Sequence, residues 1–336
     1  MERNEILSVA IDAVRGRTDG KFSAKQTSDE LVQAFIDLNG GSKKINPKTF
    51  YRGNALFELV EELIPVIIEE GIKTDANPLF SDIVEYRNIK DGDAAEFYVE
   101  DNANFVVASV ANGIQKVRRQ RIVGGTTVSV PTEAKIIRVY EDLERLMAGR
   151  IDFDKFVEGV GNAFKSYIAN AAWAAIEAIS ASTDGLSAVY VLSGTPTEAQ
   201  VVTMIEHVEA ATGKPAKIYG TKGALRGLKV AISGELYKDD MYKLGYYGNF
   251  NGTPCYRLAQ SHKPGTDTFA YTDGKIFVIA GDDKPIKVVN EGDGMLFEHS
   301  AGENADLTQE YVYIQKLGVG AIVAQKMGVS AVPLAT

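Results

Sequence analysis

The chain has 336 residues, of which 45% are hydrophobic, and carries a formal net charge of −9. This is enough apolar material for one large or two medium folded domains, and the acidic balance disfavours general adhesion to nucleic acid or to an anionic membrane. Because Cys255 is the only cysteine, an internal disulfide and a cysteine-based zinc site are excluded, and no apolar run approaches the ~18–20 residues that a membrane-spanning helix needs.

Helices are predicted within the first 72 residues. Apolar residues recur at helical spacing within residues 1–39, and Gly40-Gly41 and Pro47 then break the pattern. Residues 53–72, GNALFELVEELIPVIIEEGI, predict a stronger amphipathic helix, which Pro65 should kink or end early.

Strands are predicted between about residues 82 and 138. β-branched and aromatic residues partly alternate there with polar ones, and Asp91-Gly92, Asn112-Gly113 and Gly124-Gly125 are turn signals, so a long antiparallel hairpin is the simplest interpretation. Its returning segment, GIQKVRRQRIVGGTTVSV at 113–130, contains four cations and no anion. Because both faces of this segment are charged, the hairpin should project from its own domain and contact a partner elsewhere.

The clearest helix follows the hairpin, over residues 152–182. Phe153, Val160 and Phe164 belong to an apolar series with a 3.6-residue period, and Asp152 is suited to cap the N-terminus.

A separate α+β domain is predicted over about residues 186–290, where helical and strand-like segments alternate. PTEAQVVTMIEHVEAAT and TKGALRGLKVAIS predict helices, and AKIYG, TPCYRLAQ, TFAYTD, KIFVIAG and PIKVVNEG predict strands. The tail over residues 291–336 is again strand-like and is expected to return to the first domain.

The sequence predicts no catalytic, cofactor or metal site. Its glycine-rich stretches lack the spacing of a phosphate-binding loop, and its three histidines, His207, His262 and His299, have no partner at metal-binding or triad-like spacing. The acidic clusters at 91–96 and 281–284 are explained by turn chemistry, since the first lacks the ligand positions of a calcium loop.

The basic segment has three interpretations: a solvated face, a nucleic-acid contact, or a contact with protein. A nucleic-acid surface would favour aromatic residues among the cations for base stacking, and residues 113–130 contain none. A protein contact would place Lys116, Arg118, Arg119 and Arg121 against acidic side chains of another copy. The candidate acidic partners are Glu58, Glu61, Glu62, Glu69, Glu70, Glu141, Asp142 and Glu144.

Several stretches resemble the major capsid proteins of tailed bacteriophages, which have the Hong Kong 97-like fold. These stretches are TTVSVPTEAKIIRVYEDLERLMAGRIDFDKFVEGVGNAF, IYGTKGALRGL, and YGNFNGTPCYRLAQ followed by TDGKIFVIAGDDKPIKV. The order of the predicted elements is also similar, and the likeness covers roughly residues 50–336.

The resemblance implies an α+β fold with four parts. Residues 1–80 would form the N-terminal arm, and residues 81–185 would begin the peripheral domain, with the extended loop at about 90–132 and the spine helix at 152–182. Residues 186–290 would form the axial domain, and residues 291–336 would return to the peripheral domain.

The resemblance further implies a shell protein that needs no catalytic residue or cofactor. Copies would assemble in the cytoplasm of the host bacterium into pentamers and hexamers of an icosahedral head around double-stranded DNA. Lys116, Arg118, Arg119 and Arg121 would contact a neighbouring subunit, and scaffolding, portal and decoration proteins are expected partners, whereas a membrane is not. The alternatives are an encapsulin-type compartment shell, a nucleic-acid-binding protein, and an enzyme with a site between two domains.

Overall fold

Two sheets and a two-stranded ribbon contain the strands that the structure describes. The computed structural model describes residues 64–66, 68–69, 79–99, 125–142, 153–179, 186–228, 241–263, 265–281, 283–299, 308–323 and 327–333. The chain divides into two compact units, one built on a four-stranded sheet and one on a six-stranded sheet. The predicted α+β class is therefore confirmed.

The described strands and helices are numbered in chain order. The strands are β1 (Val84–Ile89), β2 (Glu96–Val99), β3 (Thr126–Ser129), β4 (Glu133–Asp142), β5 (Val191–Leu192), β6 (Ala216–Gly220), β7 (Asn249–Phe250), β8 (Thr253–Arg257), β9 (Lys275–Ala280), β10 (Ile286–His299), β11 (Thr308–Ala321) and β12 (Met327–Ala331). The helices are α1 (Phe153–Glu177), α2 (Glu198–Thr212) and α3 (Lys222–Arg226), and one π-helical turn spans Leu79–Ile83.

The first unit contains the four-stranded sheet, in which the strands lie in the order β1-β10-β11-β4. β1 is parallel to β10, and β11 is antiparallel to β4, with Tyr313 opposite Ile137. Helix α1 packs on the face that carries Tyr313, whose ring meets that of Phe164 edge-on at 5.3 Å between centroids. This contact places the core of the unit between α1 and the sheet.

A chain of polar side chains crosses this core. The Tyr313 hydroxyl donates to Gln315 Oε1 at 3.2 Å, and Gln315 Nε2 donates to Asn290 Oδ1 at 2.8 Å. All three side chains are buried, so each hydrogen bond replaces one that water would have provided. The network is satisfied only when β10 and β11 are in this register.

Helix α1 confirms the predicted helix but ends earlier than residue 182. Its last carbonyl, that of Glu177, accepts a hydrogen bond from Lys275 Nζ at 2.7 Å, and the Glu177 carboxylate accepts one from the Thr272 hydroxyl at 2.5 Å. A lysine at this position satisfies a carbonyl that a helix end leaves unpaired. Trp173, which the apolar series did not include, is only 2% exposed.

The second unit contains the six-stranded sheet, in the order β5-β12-β9-β6-β8-β7. Helix α2 packs on β9 and β12 and buries Val201, Met204, Ile205 and Val208. Its N-terminus is a capping box, in which Thr197 and Gln200 satisfy each other's backbone N–H groups. The predicted helix over PTEAQVVTMIEHVEAAT and the predicted strands AKIYG and KIFVIAG are therefore present.

Three local predictions differ from the structure. β1 pairs with β10, about 200 residues later, and not with the neighbouring hairpin. TFAYTD at 268–273 forms an isolated antiparallel bridge between Phe269 and His262 and no continuous strand. At Tyr271 the Gln260 side chain binds both backbone groups, where a neighbouring strand would otherwise pair. A longer helix was predicted over TKGALRGLKVAIS, but the helix there ends at Arg226, and Gly227 is its C-cap.

The tail is divided between the two sheets. β10 and β11 belong to the four-stranded sheet, whereas β12 pairs with β9 and β5 in the six-stranded sheet. The boundaries at residues 80, 185 and 290 and the arm, axial and peripheral roles stay predictions. The π-helical turn and short helical stretches at 64–66 and 68–69 are what the structure describes of the first 83 residues.

We expect Gly294→Ala to destabilise the first unit. A Cβ at residue 294 would overlap the hydroxyl and ring of Tyr313, so the buried chain through Gln315 would have to shift, at a cost of about 1–3 kcal/mol in the free energy of unfolding. Urea denaturation of the unassembled protein would measure this loss.

Gly159→Ala is the matched control for this variant. Gly159 lies within α1, and a Cβ there meets no atom within 4 Å, so the variant should be stabilised by about 0.5–1 kcal/mol. Equal effects of the two substitutions would contradict the assigned role of the close approach at Gly294.

Candidate subunit-contact site at the root of the ribbon

The ribbon formed by β2 and β3 is packed at its root and exposed further along. At the root Ala95 and Val130 are buried, and the Val130 N–H donates to the Ala95 carbonyl at 3.2 Å. Phe97 is 4% exposed, whereas the next residue, Tyr98, is 64% exposed. Because successive side chains of a strand point to opposite faces, Phe97 and Tyr98 lie on opposite faces of the ribbon. Phe97 is covered, whereas Tyr98 and all four residues of β3 are exposed.

The Tyr98 ring lies against the backbone of Gly125. The Gly125 N–H donates to the Tyr98 hydroxyl at 2.9 Å, and a Cβ at residue 125 would overlap both the ring and the Val99 carbonyl. Gly125 is therefore required by close approach, and an exposed aromatic ring is held in one place on the ribbon.

Glu291 of β10 holds the two chain segments that lead into and out of the ribbon. One carboxylate oxygen accepts from the Gly92 N–H at 3.0 Å, before β2, and the other accepts from the Thr132 hydroxyl, after β3. Lys316 of β11 donates to the same carboxylate at 3.3 Å and to Asp91. We call these five residues the root clamp.

The root clamp favours the charged forms of Glu291 and Lys316. The hydrogen bond from Thr132, that from Gly92 and the nearby ammonium of Lys316 lower the pKa of Glu291 to about 2. The carboxylates of Asp91 and Glu291 in turn raise the pKa of Lys316. The Glu291 side chain is 11% exposed, so its hydrogen bonds face little competition from water.

The clamp residues are placed by local sequence in addition to tertiary pairing. Asp91-Gly92 forms the predicted turn, with Gly92 at φ +85° and the Asp93 N–H donating to the Lys90 carbonyl at 3.0 Å. This left-handed backbone favours glycine. The turn leaves the Gly92 N–H directed at Glu291.

The predicted basic contacts lie outside the described residues. Lys116, Arg118, Arg119 and Arg121 all fall there, as do Glu58, Glu61, Glu62, Glu70 and Glu144 among the predicted acidic partners. Glu141 and Asp142 end strand β4, opposite Gln309 and Thr308. Glu69 already accepts a hydrogen bond from Asn88 Nδ2 at 2.7 Å. Their role between subunits stays a prediction.

Sequence reasoning did not find Thr132, Glu291 or Lys316. The turn at Asp91-Gly92 was a local signal, but its partners, Glu291 and Lys316, lie about 200 and 225 residues away along the chain. A charged residue within a mostly apolar stretch, as Lys316 is in YVYIQKLGVG, was the available indication.

Two further features are absent from the described residues. That part of the chain contains no cluster of three or more histidine, cysteine, aspartate or glutamate side chains arranged to bind a metal ion. None of its helices is long and apolar enough to span a membrane.

Comparisons with known proteins give one family and a set of solved structures. A family model described as "SPbeta prophage-derived putative capsid protein YonB" matches residues 6–331, and no curated protein matches the sequence. Similar solved structures include a chain of Mycobacterium phage Che8, at 11% identity and TM-score 0.44, covering 71% of this chain and 85% of that one. The capsid of the cyanophage P-SCSP1u has 12% identity and TM-score 0.47, covering 76% and 88%. A virus-like particle from Pyrococcus furiosus has 14% identity and TM-score 0.45, covering 82% and 99%.

We expect Glu291→Gln to loosen the chain segments on either side of the ribbon. Glutamine keeps the size of the side chain but removes the charge that attracts Lys316, so amide hydrogen exchange should accelerate around residues 91–95 and 130–133. Glu310→Gln is the matched control, because Glu310 lies in the same sheet but pairs with Arg138. Equal acceleration in the two variants would argue against the root clamp.

In acid, the difference in stability between Glu291→Gln and the natural protein should disappear. Since the folded-state pKa of Glu291, about 2, lies below its ordinary value of 4.5, the carboxylate stabilises the folded state fully above pH 4.5. This stabilisation is lost as the pH falls from 4.5 towards 2. Urea midpoints of both proteins over this range would measure it, and a difference that stays constant with pH would contradict the assignment.

Proposed function

Because the chain belongs to the YonB family of prophage-derived capsid proteins, we propose that it is the major capsid protein of a tailed bacteriophage, whose copies form the icosahedral shell of the head around double-stranded DNA. The family match confirms the predicted resemblance to a phage capsid protein. Capsid proteins are structural components of the virion, and the proposal assigns no catalytic reaction to this chain.

The ribbon is the observation that best supports a contact between copies. Its root is fixed by Glu291 and Lys316, while Tyr98 and Val128 are 64% and 39% exposed. A two-stranded ribbon gains little stability by itself, so side chains presented on it are best stabilised by a partner. A repeating shell supplies that partner as another copy of the same chain.

The basic segment would extend this contact. Lys116, Arg118, Arg119 and Arg121 would pair with acidic side chains of a neighbouring subunit, for which Glu58, Glu61, Glu62, Glu70 and Glu144 are the candidates alongside those on β4. Opposite charges across an interface favour correct docking and raise the association rate.

The acidic balance of the chain agrees with a shell that encloses DNA. A net charge of −9 disfavours adhesion of packaged DNA to the wall, so the DNA would be held without sequence-specific contacts. Pentamers and hexamers would assemble in the cytoplasm of the host bacterium, together with scaffolding, portal and decoration proteins.

The proposal is tested by negative-stain electron microscopy of the full chain, expressed alone and with scaffolding protein supplied. We expect polyhedral shells or capsomer rings, which Arg118→Glu/Arg119→Glu should weaken or abolish because reversed charges would repel the acidic neighbour. Lys214→Glu/Lys263→Glu is a control with the same change of charge at exposed positions of the second unit.

Two outcomes would contradict the proposal. A natural protein that stays monomeric at high concentration with scaffold supplied would oppose a shell function. Shells from the Arg118→Glu/Arg119→Glu variant that match the natural ones in yield would oppose the role of the basic segment. A salt-sensitive DNA affinity lost in that variant would instead favour nucleic-acid binding.

A further inference from the structure

Four large side chains of the four-stranded sheet face water. Ile136 and Tyr140 of β4 are 62% and 66% exposed, and Met295 and Phe297 of β10 are 50% and 45% exposed. A sheet that packs on a helix normally covers its apolar side chains on that side. The position of these four therefore has to be compared with that of α1.

The four side chains lie on the face of the sheet that is turned away from α1. Tyr313 faces α1, because its ring meets Phe164. Ile137 lies opposite Tyr313 on β4, and a Cβ at Gly294 of β10 would overlap the Tyr313 ring. The four side chains are one or three residues away from Ile137 or Gly294, so they point to the opposite face.

Strand β11 lies between β4 and β10 and makes the apolar surface continuous. Its residue Ile314 lies opposite Ile136 and is half-buried, as is Val312 on the same face. The surface thus crosses three strands of the sheet. We call it the outer patch, and its apolar members are Ile136, Tyr140, Met295, Phe297, Val312 and Ile314.

The outer patch is as large as the apolar patches that mark interaction surfaces. Its four most exposed side chains present roughly 500 Å² of surface, within the ~300–600 Å² of the largest patch on a typical monomer. Burying the patch on two copies would remove about 1,000 Å² from water, slightly less than the ~1,200 Å² at which specific interfaces begin. A contact made through this patch alone would therefore be weak and reversible.

An ion pair divides the outer patch. Arg138 lies between Ile136 and Tyr140 on the outer face of β4, and its Nε donates to Glu310 Oε2 at 2.9 Å. The Arg138 side chain is 62% exposed, whereas that of Glu310 is 14% exposed. Glu310 therefore orients the guanidinium and leaves much of it open to water. A planar guanidinium in this state can stack on an aromatic ring.

A second copy of the chain is the partner that this surface fits best. Each group of the patch has its complement on the same patch: apolar side chains for apolar side chains, and the Tyr140 ring for the Arg138 guanidinium. A two-fold axis between Arg138 and Tyr140 makes that stack twice. Nucleic acid is disfavoured, because Glu310 and the exposed Asp293 lie on the same face and would repel phosphates.

We propose that two free subunits pair through their outer patches about a two-fold axis. The two four-stranded sheets stack face to face, about 10 Å apart, and Arg138 of each copy packs on Tyr140 of the other. The small buried area makes the pair reversible. The dimer is a state of the free subunit and goes beyond the proposed shell function.

The pairing is tested by sedimentation velocity of the full-length subunit over a range of concentrations. We expect a monomer–dimer equilibrium, which Tyr140→Lys weakens about a hundredfold because each dimer loses two ring contacts at about tenfold each. Tyr98→Lys is the matched control, since Tyr98 is 64% exposed but lies on the ribbon. An equal loss in the two variants would overturn the assignment to the outer patch.

Mixing the natural protein with a differently tagged Tyr140→Lys copy tests the symmetry. In a two-fold contact the mixed dimer loses one ring, so it should be about tenfold weaker than the natural dimer. In a head-to-tail contact the variant would still offer an intact second surface, and mixed dimers would form with the natural affinity. That result would contradict the two-fold pairing.

Oxidation of Met295 tests the face without any substitution. Dilute hydrogen peroxide converts accessible methionine to the sulfoxide, and pairing should cover Met295. We expect its oxidation rate to fall about fivefold between dilute and dimer-saturated protein, while that of the half-buried Met241 in the second unit stays the same. An unchanged rate at Met295 in a dimeric sample would place the contact on another face.

The pairing and the shell function can fail separately. Shells that form while free subunits show no dimer at any concentration would overturn the pairing and leave the shell function standing. Dimers that form no shell or ring with scaffold supplied would leave the pairing and contradict the shell function. A chain that stays monomeric throughout would refute both.

Discussion

The register between β10 and β11 is the constraint on which the described site depends. The buried hydrogen bonds from Tyr313 to Gln315 and from Gln315 to Asn290 are satisfied in one register only. A slip of one residue would turn these polar side chains away from each other and exchange the two faces of the strand. Glu291 and Lys316, each next to a member of the network, would then turn towards α1. The core network therefore sets where the root clamp can form.

The root clamp owes its strength to the hydrogen bonds more than to the ion pairs. Exposed ion pairs such as that of Lys316, whose side chain is 41% exposed, contribute little to stability because water screens them. Hydrogen bonds from Gly92 and Thr132 to a mostly buried carboxylate are charge-assisted and stronger. They also join chain segments 40 residues apart in sequence, one on each side of the ribbon. These bonds therefore restrain the chain segments that precede and follow the ribbon.

The sequence could predict what local periodicity and turn chemistry determine, and little more. The 3.6-residue period located α1 and α2, the alternation located β2, β3, β6 and β9, and Asp91-Gly92 was correctly identified as a turn. The parallel pairing of β1 with β10 was missed, because it joins segments about 200 residues apart and no local signal specifies a parallel partner. TFAYTD was misassigned because one glutamine side chain, Gln260, competes for the backbone of Tyr271. The clamp at Glu291 was missed for the same reason as the parallel pair: its members meet only after the sheet has formed.

A subunit that must bind copies of itself many times gains from preorganised contacts. Each association costs ordering entropy, and a side chain that is already fixed adds little to that cost. On the ribbon the Tyr98 hydroxyl is held by Gly125, and at the root Glu291 holds both flanking segments. Adding a side chain at residue 125 would remove the first restraint without touching the core. Glycine at this position and the carboxylate at residue 291 thus both restrain the chain at the ribbon, and such restraint lowers the ordering cost of the contact proposed above.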